Sequence, residues 1–109
     1  MTRVNIKPLS VNEVWQGRRF KTRKYLDWEQ VLGYTLPRIL DVPQGEICLH
    51  LEFGLSSKNA DIDNGVKPFV DVLQKRYGFN DRQIYELHVK KSIVPKGKEY
   101  ITFEFSEKK

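Results

Sequence analysis

Two carboxylates, an amide and an ammonium group fall within seven residues in the segment Asp-Ile-Asp-Asn-Gly-Val-Lys, 61–67. Because alternate side chains of an extended chain point to the same side, the carboxylates of Asp61 and Asp63 can both reach one ion. Asp81 begins the segment that enters the next predicted strand. A strand, a loop, a helix and a returning strand can therefore bring the three carboxylates together at one end of a sheet. Lys67 lies at the entrance of that helix, where the helix dipole favours anions.

A set of oxygen ligands of this kind suits a hard divalent cation. Mg²⁺ is typically held by one or two carboxylates together with water and a substrate phosphate. A bound ion lowers the pKa of a coordinated water and neutralises charge that develops on the phosphate, while a nearby lysine orients the water or holds the phosphate. The cluster therefore predicts phosphodiester hydrolysis. The alternative is a solvated turn before a helix, because Asp and Asn favour turns and helix N-caps.

The net charge of +5 is unevenly distributed along the chain. Residues 1–45 carry 8 basic and 4 acidic side chains, residues 46–81 carry 4 and 6, and residues 82–109 carry 7 and 4. Basic flanks around an acidic centre differ from the uniform positive stripe of a protein that passively coats DNA. The distribution instead favours an anionic polymer held at the periphery while a cation-loaded centre meets one phosphate.

Hydrophobic periodicity predicts four strands and two helices. Thr22 is expected as the N-cap of the first helix, and Gly33 and Gly78 as the residues that follow the two helices. The predicted elements are strand 4–7, a loop over 9–21, helix 22–33, an irregular segment through 45, strand 46–55, a helix that ends at 78, and strands 84–91 and 99–105, with the last four residues frayed. The order β-α-β-α-β-β predicts an α+β fold in which two helices cover a small mixed sheet, as one domain over residues 1–109.

The start of the second helix depends on Pro68. Proline disfavours helical geometry in the preceding residue, here Lys67, but it suits the first helical position. One alternative is a helix that starts at Pro68 and leaves 64–67 as an ordered turn. The other is a helix that starts nearer Asp63 with a distorted first turn. The placement of Lys67 differs between the two.

Few residues suit a soft metal or a disulfide. Cys48 is the single cysteine, so no intramolecular disulfide is expected. Cys48 and His50 together with His88 fall short of a standard zinc site, and the two histidines are interpreted as surface or interface residues. The sequence has no run of about 18 apolar residues and no visible signal peptide in its first twenty residues, so we expect a cytoplasmic protein without a membrane partner.

The acidic segment also carries a family resemblance. The stretch A-D-I-D-N-G-V-K-P-F-V-D-V-L, followed by N-D-R-Q-I-Y-E-L and K-K, resembles the RusA family of Holliday junction resolvases of bacteria and phages. The segments K-P-L-S-V-N-E-V-W and R-R-F-K-T-R-K-Y-L-D-W are similar to the opening of that family, so the resemblance covers most of the chain. It implies a homodimeric endodeoxyribonuclease that depends on Mg²⁺, with Mn²⁺ as a substitute. Such an enzyme nicks two opposed strands of a four-way DNA junction in recombination and repair.

The resemblance assigns roles to individual residues. Lys67 matches the catalytic lysine of the family. The metal-binding carboxylates, also catalytic, are expected to be Asp61, Asp63 and Asp81. Asp71 and Asn64 are expected to position these residues without binding the metal directly. Asp71 is expected to do so as an ion-pair partner of Lys67. At Pro68 the chain departs from the family, where an ordinary helix former is common, and this departure bears on where Lys67 points.

Basic residues on either side of the acidic centre are expected to contact DNA phosphates. They are Arg18, Arg19, Lys21, Arg23, Lys24, Lys90 and Lys91. Phe20 lies among the first five of them, where it either stacks on an unpaired base of the junction or is tucked into the core. Two rival functions stay open at this point: a non-catalytic protein that binds branched DNA, and a protein whose basic face meets an acidic partner.

Overall fold

The computed structural model describes residues 1–17 and 20–108. Within these ranges the helices are α1 (Arg23–Thr35) and α2 (Val66–Tyr77). The strands are β1 (Thr2–Val4), β2 (Trp15–Gln16), β3 (Phe20–Lys21), β4 (Ile47–Leu55), β5 (Ile84–Ile93) and β6 (Tyr100–Glu107), and short 3-10 turns cover Val11–Glu13 and Asp81–Gln83. Neither α1 nor α2 has the length and apolar character that crossing a membrane would require.

Four strands form a mixed sheet in the order β1-β6-β4-β5. β6 is antiparallel to both β1 and β4, whereas β4 and β5 are parallel, with His50 opposite His88. A parallel pair needs a crossover connection, and α2 supplies it between β4 and β5. β2 and β3 form a separate hairpin. The predicted α+β class and the order β-α-β-α-β-β are confirmed, and the hairpin is an addition within the segment predicted as loop.

The two faces of the sheet differ in what covers them. Successive side chains of β4 alternate between the faces, and its buried residues Leu49, Leu51 and Phe53 point toward the helices. The helices complete this core with Tyr25, Trp28 and Leu32 from α1 and Phe69, Val70, Val72 and Leu73 from α2. The opposite face, which we call the open face, carries Cys48 and His50 and is covered by neither helix.

Both ends of the chain differ from the prediction. Pairing with β6 sets Thr2 opposite Phe103, so the first strand covers Thr2–Val4 instead of 4–7. The next segment turns toward α1, where the indole N–H of Trp28 donates to the carbonyl oxygen of Lys7 at 2.9 Å. At the other end β6 continues to Glu107, so residues 106 and 107 pair with β4 and are not frayed.

α1 begins where the sequence predicts it and ends later. Thr22 is the N-cap, and its hydroxyl accepts a hydrogen bond of 3.1 Å from the backbone N–H three residues later. The prediction that Gly33 follows the helix is wrong, because the helix continues until the N–H of Leu36 bonds to the carbonyl of Leu32 at 2.9 Å. Leu36 is buried in the core, so tertiary packing favours the additional residues.

Candidate active site

An ordered turn joins the acidic segment to α2. The N–H of Asn64 bonds to the carbonyl of Asp61 at 3.3 Å, and the N–H of Val66 bonds to the carbonyl of Asp63 at 3.1 Å. The N–H of Val11 donates to the carbonyl of Asn64 at 2.8 Å. The turn is thereby fixed both to the helix that follows and to the N-terminal segment, and Asn64 contributes to this through its backbone.

α2 starts between the two predicted positions. Val66 is its first residue, so Lys67 is helical and Pro68 occupies the third position. Proline is tolerated there because the N–H groups of the first turn have no partner within the helix. Gly65 precedes the helix, and a Cβ at this position would lie 3.3 Å from the ring of Phe53. This close approach seats the start of α2 on the sheet.

Lys67 is bound by two carboxylates on the exposed side of α2. Its Nζ lies 2.7 Å from Oδ1 of Asp71, one helical turn further on, and 3.7 Å from Oδ2 of Asp81. The hydrogen bond to Asp71 is the largest effect on the pKa of Lys67 and raises it above its ordinary value; burial opposes this, and the charges of Asp71 and Asp81 raise the pKa further. Lys67 is therefore a cation at neutral pH, which suits a phosphate ligand and not a general base.

Gln74 connects the two carboxylates that hold Lys67. Its Nε2 donates to Oδ1 of Asp71 at 3.3 Å, and its Oε1 accepts from the backbone N–H of Asp81 at 2.9 Å. One side chain thus positions both acids. Gln74 is not among the site residues predicted from the sequence. Its place seven residues after Lys67 and three after Asp71, on the same stripe of the helix, is the signal that could have identified it.

Asp61 and Asp63 are exposed at the turn before α2. Within the described part of the chain, neither carboxylate takes part in an ion pair. Asp61 borders a pocket of about 220 Å³ whose walls include Phe53 and Leu55. The ammonium group of Lys91 donates to the carbonyl oxygen of Ala60, immediately before Asp61, and so holds this loop. Both carboxylates are therefore reachable from solvent by a cation or by an anionic polymer that carries one.

The three aspartates expected to bind metal do not form a closed group of ligands. Asp81 is paired with Lys67, while Asp61 and Asp63 lie before α2. A different set of side chains does form such a group. Among residues 1–17 and 20–108, the ligating atoms of Cys48, His50 and His88 all lie within 4.8 Å of one another. The structure therefore brings Lys67, Asp71 and Asp81 together, and within the described residues it pairs neither Asp61 nor Asp63 with Lys67.

Three of the cations expected to contact DNA lie on β3 and the first turn of α1. Lys21 lies over two aromatic rings, with Nζ 4.4 and 4.9 Å from their centroids. Lys24 is bound to Glu13, and Arg23 is 3.3 Å from Asp27 on the same helix. Exposed ion pairs of this kind contribute little to stability, so Arg23 and Lys24 can exchange their partners for a phosphate.

Lys90 and Lys91 point to opposite faces of β5 because successive residues of a strand alternate. Lys90 is exposed on the open face. Lys91 donates to the backbone carbonyl oxygens of Lys58 and Ala60, at 3.2 and 2.8 Å. Its ammonium group therefore ties the edge strand to the loop that ends at Asp61, and a phosphate would have to compete with two hydrogen bonds.

The hairpin β2–β3 exposes aromatic side chains beside these cations. Phe20 is 69% exposed and Trp15 is 49% exposed. The alternative in which Phe20 is tucked into the core is therefore wrong, and stacking on an unpaired base stays a prediction. Arg18 and Arg19, also expected to bind DNA, lie outside the described residues.

Aspartates, a protonated lysine and a surrounding set of exposed cations on a small α+β domain are typical of nucleases that cut a phosphodiester. A family model described as Endodeoxyribonuclease RusA matches residues 8–103, which include α1, β4, α2 and β5. The chain belongs to this family and is an endodeoxyribonuclease of the Holliday junction resolvase type, with a role in DNA recombination. No curated protein matches the chain.

Proposed function

We propose that this chain is a Mg²⁺-dependent endonuclease that recognises four-way DNA junctions by their structure and resolves them by paired nicks. Family membership supports junction resolution. The observation that carries the finer proposal is the protonated Lys67 held between Asp71 and Asp81, four residues after the exposed Asp63. Its place of action would be the cytoplasm of a bacterial or phage-infected cell.

Lys67 would hold the phosphate that is cut. The 2.7 Å hydrogen bond to Asp71 orients the ammonium group, and Gln74 fixes Asp71 in turn. The 3.7 Å contact with Asp81 is longer and exposed, so it is the one that gives way to a phosphate oxygen. Lys67 then remains anchored by one carboxylate while it contacts the substrate.

Asp61, Asp63 and Asp81 are the residues that would hold Mg²⁺. Carboxylate oxygens are the ligands that this ion prefers, and an exposed position leaves room for the waters that it keeps. Mn²⁺ accepts the same type of ligand. When bound, the ion supplies an activated water and neutralises charge on the phosphate. Release of Lys67 from Asp81 toward the substrate leaves that carboxylate available as a ligand.

Contacts beyond the reacting phosphate would come from the basic residues of β3 and α1. Lys21, Arg23 and Lys24 lie near one another at the start of α1, where exposed cations can follow a DNA backbone. Two protomers related by a two-fold axis would place one acidic cluster against each of two opposed strands. A homodimer of this kind accounts for nicks that come in pairs.

A cleavage assay on two matched substrates tests the proposal. A labelled four-way junction and a linear duplex of the same sequence are each incubated with the purified protein, with and without Mg²⁺. We expect symmetric nicks in the junction only, and only with Mg²⁺ or Mn²⁺. Binding of the junction without cleavage in either metal would instead indicate a non-catalytic protein that binds branched DNA. Equal cleavage of both substrates would overturn the selectivity for junctions.

A further inference from the structure

Three metal-ligating side chains meet on the open face of the sheet. Cys48 and His50 are alternate residues of β4, and His88 of β5 is the register partner of His50. Sγ of Cys48 lies 3.4 Å from Nε2 of His50, and the donor atoms of all three side chains lie within 4.8 Å of one another. The spacing of these residues in the sequence falls short of a standard zinc site, because the approach of His88 depends on how β5 is aligned against β4.

The donor set selects a particular class of metal. One thiolate and two imidazoles suit Zn²⁺, whereas Mg²⁺ prefers oxygen. In tetrahedral zinc sites the Zn–S distance is about 2.3 Å and the Zn–N distance about 2.0–2.1 Å, which sets the sulfur and nitrogen ligands about 3.5 Å apart. The separation of 3.4 Å between Cys48 and His50 is already close to this value. Only His88 has to approach further.

The approach of His88 requires a rotation of its ring. The imidazoles of His50 and His88 are stacked, with centroids 4.5 Å apart and planes inclined by 8°. Since the lone pair of a ring nitrogen lies in the plane of the ring, two parallel rings cannot both direct a lone pair at one ion. His88 is exposed and belongs to β5, which has a strand neighbour on one side only, so its side chain has room to turn.

We propose that Cys48, His50 and His88 bind one Zn²⁺ on the open face. Binding releases the thiol proton of Cys48 to solvent. Water or a neighbouring carboxylate completes the coordination; Glu86 is the register partner of Cys48 on β5, and Glu104 is that of His50 on β6. One ion bound here joins the edge strand to the centre of the sheet and stabilises the folded chain in proportion to its occupancy.

This site is separate from the proposed nuclease centre. Cys48 is buried on the face opposite the core, and its neighbours on β4 and β5 belong to the sheet and not to the turn before α2. The ligands also differ in kind, because no aspartate is among them. The proposal therefore stands whether or not the chain cuts DNA.

Co²⁺ is a suitable probe because it adopts the geometry of Zn²⁺ and absorbs light. The full chain is freed of metal with EDTA, kept reduced with a phosphine and titrated with Co²⁺. We expect one equivalent to produce a thiolate-to-metal charge-transfer band and the strong visible absorption of a tetrahedral ion, both lost on addition of one equivalent of Zn²⁺. Absence of the charge-transfer band at one equivalent would overturn the proposal.

Substitution of the proposed ligands tests whether Cys48 and His88 bind the ion. Cys48→Ser should abolish the charge-transfer band, and His88→Ala should weaken Zn²⁺ affinity by at least about tenfold in competition with a chromophoric chelator. His88 is exposed, so its substitution should leave the far-UV circular dichroism unchanged and keep the result interpretable. The matched control is the double variant Asp61→Asn/Asp63→Asn, which should bind Zn²⁺ as the wild type does. Wild-type affinity in His88→Ala, or lost affinity in the control, would contradict the site.

Discussion

The turn before α2 and the open face of the sheet present opposite kinds of ligand. Around the start of α2 the donors are exposed carboxylate oxygens: Asp61 and Asp63 lie at the turn, and Asp81 pairs with the ammonium group of Lys67. On the open face the donors are sulfur and nitrogen, and the register of two strands holds them together. An ion that keeps its waters needs an open surface, whereas an ion that sheds them needs ligands that already converge. The two regions should therefore respond independently to substitution.

The largest effect that separates the two regions is expected from Asp81→Asn. This change removes a proposed metal ligand and one partner of Lys67 while it preserves the shape of the side chain. We expect the single-turnover rate of junction nicking to fall by at least about 10³-fold, with unchanged Zn²⁺ affinity. If Asp81→Asn lost both nicking and Zn²⁺ binding, the two regions would be coupled, and their expected independence would be wrong.

Lys67→Ala should have the next largest effect. Loss of one preorganised charge at the reacting phosphate is expected to lower the nicking rate by about 10²–10³-fold. Lys67→Arg retains the charge with a different geometry and should recover part of the rate. The rate of each variant is compared with its junction affinity in a metal-free gel shift. If Lys67→Ala cut the junction at the wild-type rate, the phosphate-binding role of Lys67 would be wrong.

A smaller effect is expected from Gln74→Leu. Its two hydrogen bonds position Asp71 and Asp81, so their loss should lower kcat by about tenfold with little change in KM. Gln30→Leu on α1 is the matched control, since Gln30 has the same side chain and is exposed, and its hydrogen bond goes to Tyr34 and not to Asp71 or Asp81. A change in KM alone would indicate that Gln74 acts on DNA binding instead.

The smallest expected effect is that of pH on the nicking rate through the charge of Lys67. The hydrogen bond to Asp71 raises the pKa of Lys67 above the ordinary value of 10.5, so its charge is complete below that value and is lost only above the raised one. Between about pH 7 and 9 the nicking rate at saturating Mg²⁺ should not fall through deprotonation of Lys67. A rate that declines in this range for the wild type and stays level for Lys67→Arg would contradict the assignment.

Local patterns in the sequence predicted the helices and the main strands. Thr22 identified the start of α1 because capping depends on a few adjacent residues. The end of α1 was missed because the burial of Leu36 outweighs the local preference of Gly33. The hairpin β2–β3 was also missed, since strands of two residues are too short to show alternation.

The site could be predicted only as far as its contacts follow sequence spacing. Lys67 and Asp71 are four residues apart, and in a helix that spacing makes them neighbours. The approach of Asp81, the link through Gln74 and the pairing of His50 with His88 all depend on where the chain returns after α2. The crossover determines that return, and no local pattern encodes it.

The most direct test compares Asp63→Asn with His88→Ala in one single-turnover assay of four-way junction nicking at saturating Mg²⁺. We predict that Asp63→Asn loses nicking while it binds the junction like the wild type in a metal-free gel shift. His88→Ala is predicted to nick the junction at the wild-type rate. Nicking by Asp63→Asn at the wild-type rate would contradict the assignment of the turn before α2 as the nuclease centre.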